Sequence, residues 1–115
     1  MTVAKMEIAA FLSDAHAMHE WLEGERSAMD LRGEYLSWWL HDEGPGFGLV
    51  VVGPERSMEL HLMRDGSVQR ILEEFDFEAQ QFVTLLADSP SVVSVSEFLS
   101  LYTELRERTL ESRAR

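Results

Sequence analysis

Apolar residues near the N-terminus recur at helical spacing. Ile8, Phe11, Leu12, Ala15, Met18 and Leu22 fall on one stripe, which predicts a helix over 3–23. Thr2 is placed to cap its start and Gly24 to end it. At 100° per residue His19 lies near the centre of the stripe, His16 at its edge and Trp21 well to one side. "ERSAMDLR" (25–32) then reads as a polar connection.

The period changes after residue 33. "EYLSWWLH" (34–41), "FGLVVV" (47–52), "MELHLM" (58–63) and "VQRIL" (68–72) are short runs rich in strand formers. They are separated by "DEGPG", "GPERS" and "RDGS", which carry turn chemistry. Asp76 is placed to cap a helix over 77–87, with Phe82, Leu85 and Leu86 turned inward. Ser94 and Glu97 have capping-box spacing before a last helix over 95–111, whose apolar side is Phe98, Leu101, Tyr102, Leu105 and Thr109. The expected fold is α+β: an N-terminal helix, an antiparallel four-stranded meander and two C-terminal helices. The 115 residues suit a single domain over 1–115, with the charged end 106–115 expected to fray.

Alternation gives strand 34–41 two faces. Leu36, Trp38 and Leu40 form one; Tyr35, Ser37, Trp39 and His41 form the other. A five-residue turn at "DEGPG" sets His41 opposite Phe47 and Trp39 opposite Leu49. A second five-residue turn sets Val52 opposite Met58 and Leu49 opposite His61. The core face then holds Leu36, Trp38, Leu40, Val50, Val52, Leu60 and Leu62. The second face collects Tyr35, Trp39, His41, Phe47, Leu49, Val51, Glu59, His61 and Met63, too apolar for a wet face. A helix of the same chain, an identical subunit or a foreign protein is expected to cover it.

Charge sharpens this expectation. The net charge is −11, from 21 acidic and 10 basic residues. Residues 1–103 carry −12 and residues 104–115 carry +1. Such a body repels nucleic acid and anionic membranes and attracts basic surfaces. There is no cysteine, so neither disulfides nor thiolate-bound zinc are available. The N-terminus lacks a signal peptide's apolar core and no run approaches a membrane span, so a soluble cytoplasmic protein is expected.

Candidate chemistry is sparse. His16 and His19, at i and i+3, are the weak candidates for a metal site, and a metal-binding protein or enzyme using the histidines is the third-ranked reading. No catalytic motif or cofactor motif is present; "GPGFGLVVVG" precedes a strand, unlike phosphate loops, which follow one. The acidic clusters give a better lead. Tyr35, Trp39, His41, Asp42, Glu43 and Phe47 are expected to form an aromatic and acidic partner-binding patch, supported by Glu73, Glu74 and Asp76. The leading expectation is a non-enzymatic inhibitor or immunity-type protein, such as an anti-defence factor, that engages a basic, nucleic-acid-binding protein. A homodimeric acidic chaperone or adaptor is the second reading.

Overall fold

A computed structural model describes residues 7–31, 33–40 and 46–111. Two helices, α1 (Ile8–Ser13) and α2 (Ala15–Leu31), precede five strands: β1 (Tyr35–Leu40), β2 (Gly46–Val52), β3 (Arg56–Met63), β4 (Val68–Asp76) and β5 (Gln81–Asp88). Helix α3 (Val95–Leu110) follows. The strands form one antiparallel sheet in the order β1-β2-β3-β4-β5. The α+β expectation holds, with one strand more and one C-terminal helix fewer than predicted.

The first predicted helix is two helices, broken at Asp14. Its backbone leaves the helical region and its side-chain Oδ1 accepts from Ala17 N at 3.0 Å, so it caps α2 rather than extending α1. Helix α2 also runs through Gly24 and the segment read as a connection. It ends instead at Leu31, and Gly33, at φ 74°, turns the chain away. Gly33 N donates to Asp30 O (3.0 Å) and Glu34 N to Met29 O (2.9 Å), the paired bonds of a Schellman stop. The extra turns bury Met29, which a polar reading of 25–32 overlooked.

The largest departure lies at 73–88. The predicted helix over 77–87 is strand β5, and β4 extends to Asp76 to pair with it. Asp76 does cap backbone amides, those of Glu78 (3.0 Å) and Ala79 (3.2 Å), but in a tight turn. Gln80 then takes φ 54° and reverses the chain. Phe82 and Leu85, expected inside, are exposed. Phe75 and Phe77 alternate at strand period and Val83-Thr84 is β-branched, which favours strand over helix here.

Helix α3 follows its prediction. Ser94 Oγ accepts from Glu97 N at 3.3 Å, and Glu97 Oε2 accepts from Val93 N at 3.1 Å. Phe98, Tyr102, Leu105 and Thr109 are buried. Arg56 ties the other end down: Nη1 donates to Arg108 O (2.8 Å) and Nε to Glu74 Oε2 (2.9 Å), meeting one of the helix's terminal carbonyls.

The core lies between the helices and one sheet face, and aromatic rings organise it. Phe47 on β2 is fully buried, with its ring 6.4 Å from Phe11, 6.5 Å from Trp21 and 6.0 Å from Phe98. Trp21 also meets Tyr102 edge-on at 5.2 Å. Trp21 is therefore part of the core margin rather than off to one side. These contacts join α1, α2, β2 and α3.

Tyr102 is 1% exposed, and its hydroxyl has no hydrogen-bond partner among the described residues. Burial pushes its phenol above the ordinary range, and the Glu25 carboxylate adds to the shift. Glu25 itself accepts from Arg106 Nη1 at 2.8 Å, joining α2 to α3.

Two outcomes are expected. Phe47→Ala should cost about 3–5 kcal/mol in denaturant unfolding, as for a large aromatic removed from a core. Tyr102→Phe should change stability by less than about 1 kcal/mol at neutral pH, because no bond is lost. The neutral phenol is favoured in the folded state, so its contribution is complete below the free phenol pKa of about 10 and is lost as pH rises above it. Unfolding measured on both sides of pH 10 should therefore show wild type losing stability relative to Tyr102→Phe.

Candidate functional site

Register decides which residues reach the second face. Tyr35 pairs with Val52, Trp39 with Gly48 and Leu40 with Phe47. Val52 pairs with Ser57 and Leu49 with Leu60. Each pairing is one residue away from the expected one, and the two shifts cancel at β3. Leu60 and Leu62 thus stay on the core face with Leu36, while β2 alone is turned over. Phe47, Leu49 and Val51 are buried, and Val50 and Val52 take their places on the outer face. Phe47 is consequently a core residue and not a partner-binding one. The reason is volume: the helices need the bulk of Phe47 and Leu49, and the outer face needs the void of Gly48.

Trp39 fills that void. A Cβ on Gly48 would lie 2.6 Å from Trp39 Cζ2, 2.7 Å from its Cε2 and 2.8 Å from His61 Cε1. The Trp39 and His61 rings meet edge-on at 5.5 Å over the glycine, and His61 Nε2 lies 2.8 Å from Glu59 Oε2. The second tryptophan is therefore seated by its own sheet, yet remains 40% exposed. Its neighbour Trp38 points the other way, half-buried, beneath the Arg26 guanidinium at 3.9 Å and beside His19 at 5.8 Å.

Across the sheet the outer face presents Tyr35, Val52 and Ile71, with Phe82 at the far β5 end, all exposed, and Ser57, Glu59, Gln69, Glu73 and Thr84 interspersed among them. The described helices pack on β1 to β4 from the Phe47 side, and no other described element lies over this face. Beyond the helical layer the β4–β5 hairpin adds three rings. Phe75 lies 4.8 Å from Phe77 and 5.2 Å from Phe82, its cross-strand partner. Sequence reasoning missed this cluster because Asp76 was assigned to a helix cap; the Phe-x-Phe alternation was the available signal.

The expected site is only partly assembled. Tyr35, Trp39 and Glu73 share the outer face. His41, Asp42 and Glu43 lie outside the described residues. Trp39 is level with Gln69 across the sheet, which places it about 20 Å from Glu73 by standard strand spacings. Glu74 faces the helix side, where Arg56 holds it. Asp76 serves the hairpin turn. His16 and His19 sit on α2 near the i+4 carboxylates Glu20 (3.3 Å) and Glu23 (3.8 Å). Among the described residues no three His, Asp or Glu side chains are grouped to hold a metal ion, and no helix is long and apolar enough to cross a membrane.

Comparison of the chain with protein-family models, with curated proteins and with solved structures finds no match to any of them.

Gly48→Ala tests the seating of Trp39. The added methyl must displace one of two rings, which should cost about 1–3 kcal/mol. In a Trp39→Ala background the same change should cost less, a coupling of at least about 0.5 kcal/mol in a double-mutant cycle. Additive losses would show that the ring does not depend on the glycine.

Proposed function

We propose that this chain is a small, non-enzymatic protein-interaction module of the inhibitor or immunity type, as an anti-defence factor would be. In this reading it occludes a basic, nucleic-acid-binding protein. The observation that carries the reading is the outer sheet face. Tyr35, Trp39, Val52, Ile71 and Phe82 are exposed along a face that no described element covers, interspersed with Ser57, Glu59, Gln69 and Glu73. Exposed aromatic side chains set among carboxylates suit a contact with a charged partner. The body that bears it has a net charge of −11, which supports a partner of opposite sign. Aromatic side chains supply the affinity and the carboxylates the speed and selectivity of encounter. Glu73 and Glu59 take the electrostatic role beside the rings. The reading involves no metal, cofactor, membrane or direct nucleic-acid contact.

Affinity capture from the native host or its infected cells, followed by kinetics with the purified partner, tests this. The partner should be a nucleic-acid-binding protein, and association should slow about tenfold or more between 50 and 500 mM salt. Trp39→Ala and Phe82→Ala should chiefly speed dissociation, and Glu73→Lys should chiefly slow association. Undiminished retention of the same partner by all three variants, or salt-independent association, would reject the reading.

A further inference from the structure

The sheet ends in an open edge. β5 is last in the strand order, and every residue from Gln81 to Asp88 is exposed except the half-buried Leu86. Helices pack chiefly on β1 to β4, and on β5 it is Leu86 that reaches the core. Its outward-facing backbone groups have no ladder partner among the described residues. Natural edges are commonly guarded by lysine, proline or a covering loop. Residues 81–88 contain no lysine, arginine or proline. A register shift that leaves Leu85 extra is the one irregularity along β5. The strand's single charge, Asp88, is held by Arg70 through two bonds of 2.8 and 2.6 Å, which keep that carboxyl below its ordinary range.

Beside this edge, on the helix side, lies a groove of about 480 Å³ lined by Glu74, Asp76, Phe77, Glu78, Val83 and Leu85. Its lining combines three apolar side chains, Phe77, Val83 and Leu85, with three carboxylates, Glu74, Asp76 and Glu78. The charge pattern extends well beyond it: between Ile71 and Leu105 the chain has seven acidic residues and no basic one. A second copy of the chain would bring the same acids to the same place.

We propose that the β5 edge takes up an extended basic segment of the partner protein as a sixth strand. This rests on the basic-partner reading above and adds how the segment is held. Backbone hydrogen bonds along β5 fix it, as in other cases of strand addition. Its alternate side chains fall on the two sheet faces. Those on the helix side enter the groove, where lysine or arginine stems pack on Phe77, Val83 and Leu85 and carry their charge to Glu78 and Asp76. Those on the other side extend the face that carries Phe82 and Ile71.

Three synthetic nine-residue peptides test this: alternating lysine and valine, the same with glutamate for lysine, and the lysine peptide with alternate backbone amides N-methylated. The lysine peptide should bind at low salt, shift the backbone amide resonances of residues 81–88 and slow their hydrogen exchange. N-methylation, glutamate for lysine, Leu85→Lys and Glu78→Lys should each weaken binding about tenfold or more. Both substituted positions are exposed, so folding is not at stake. A lysine peptide that shifts Tyr35, Trp39 and Ile71 and ignores N-methylation overturns strand addition and leaves the basic-partner reading standing. A glutamate peptide that binds equally well overturns both. Protection of 81–88 that rises with protein concentration without peptide assigns the edge to a second copy and overturns the proposal.

Discussion

The burial of Phe47 is the constraint on which the other features depend. One ring on β2 touches α1, α2 and α3, so its side of the sheet must be the side the helices occupy. Once that is set, the period of two leaves no freedom. Gly48 must face outward, Leu49 and Val51 inward, and Val50 and Val52 outward. The outer face is then committed to a glycine at the point where Trp39 crosses from β1. Trp39 lies over Gly48 because Phe47 is buried next to it. A fully apolar strand is ambiguous by pattern, and volume resolves what alternation cannot.

The same constraint explains why the second tryptophan needs no lid to be seated. A glycine within a strand weakens it through entropy and missing contact. A cross-strand aromatic ring lying over the gap restores much of that contact. Trp39 and His61 do so here, and His61 is in turn held near Glu59. The arrangement settles where the ring sits without covering it. Its outer surface stays in solvent along with Tyr35, Val52 and Ile71. The exposure of these side chains is thus a product of core packing on the opposite side.

Much of this was legible in the sequence. Strands β1 to β4 were readable from composition and turn residues, and α3 from its stripe and the Ser94–Glu97 spacing. That one ring of Trp38-Trp39 must leave the core was readable from the pair alone, since adjacent strand residues point to opposite faces. Membership of the outer face was not, because a turn one residue shorter turns a strand over, and every residue of "FGLVVV" is apolar or glycine. Two further misreadings share one physical origin: short polar side chains cap both helices and turns. Asp14 breaks a helix that its neighbours favour, and Asp76 makes a turn where a helix start was expected. What decides between them lies further along the chain, in whether the next residues can bury a helical stripe. After Asp76 they pair with β4 as a strand instead, so Phe75, Phe77 and Phe82 end up as a cluster on an exposed hairpin.

That hairpin poses a problem of its own. An open, apolar edge without lysine or proline invites pairing with copies of itself. The guard here is long-range rather than local. The stretch from Ile71 to Leu105 carries only negative charge, and the Arg70–Asp88 pair removes the one charge on the strand that could steer a register. Two copies approaching edge to edge would bring two acidic surfaces together, while the strand itself remains able to pair. Repulsion of this kind discriminates by sign alone. Under the strand-addition proposal it disfavours the chain's own twin and favours a basic segment through the same residues. The discrimination weakens as salt rises, because exposed charges are screened over about 8 Å at physiological ionic strength. The acidic composition, which by itself means no more than solubility, acquires a specific consequence only when the edge it surrounds is known.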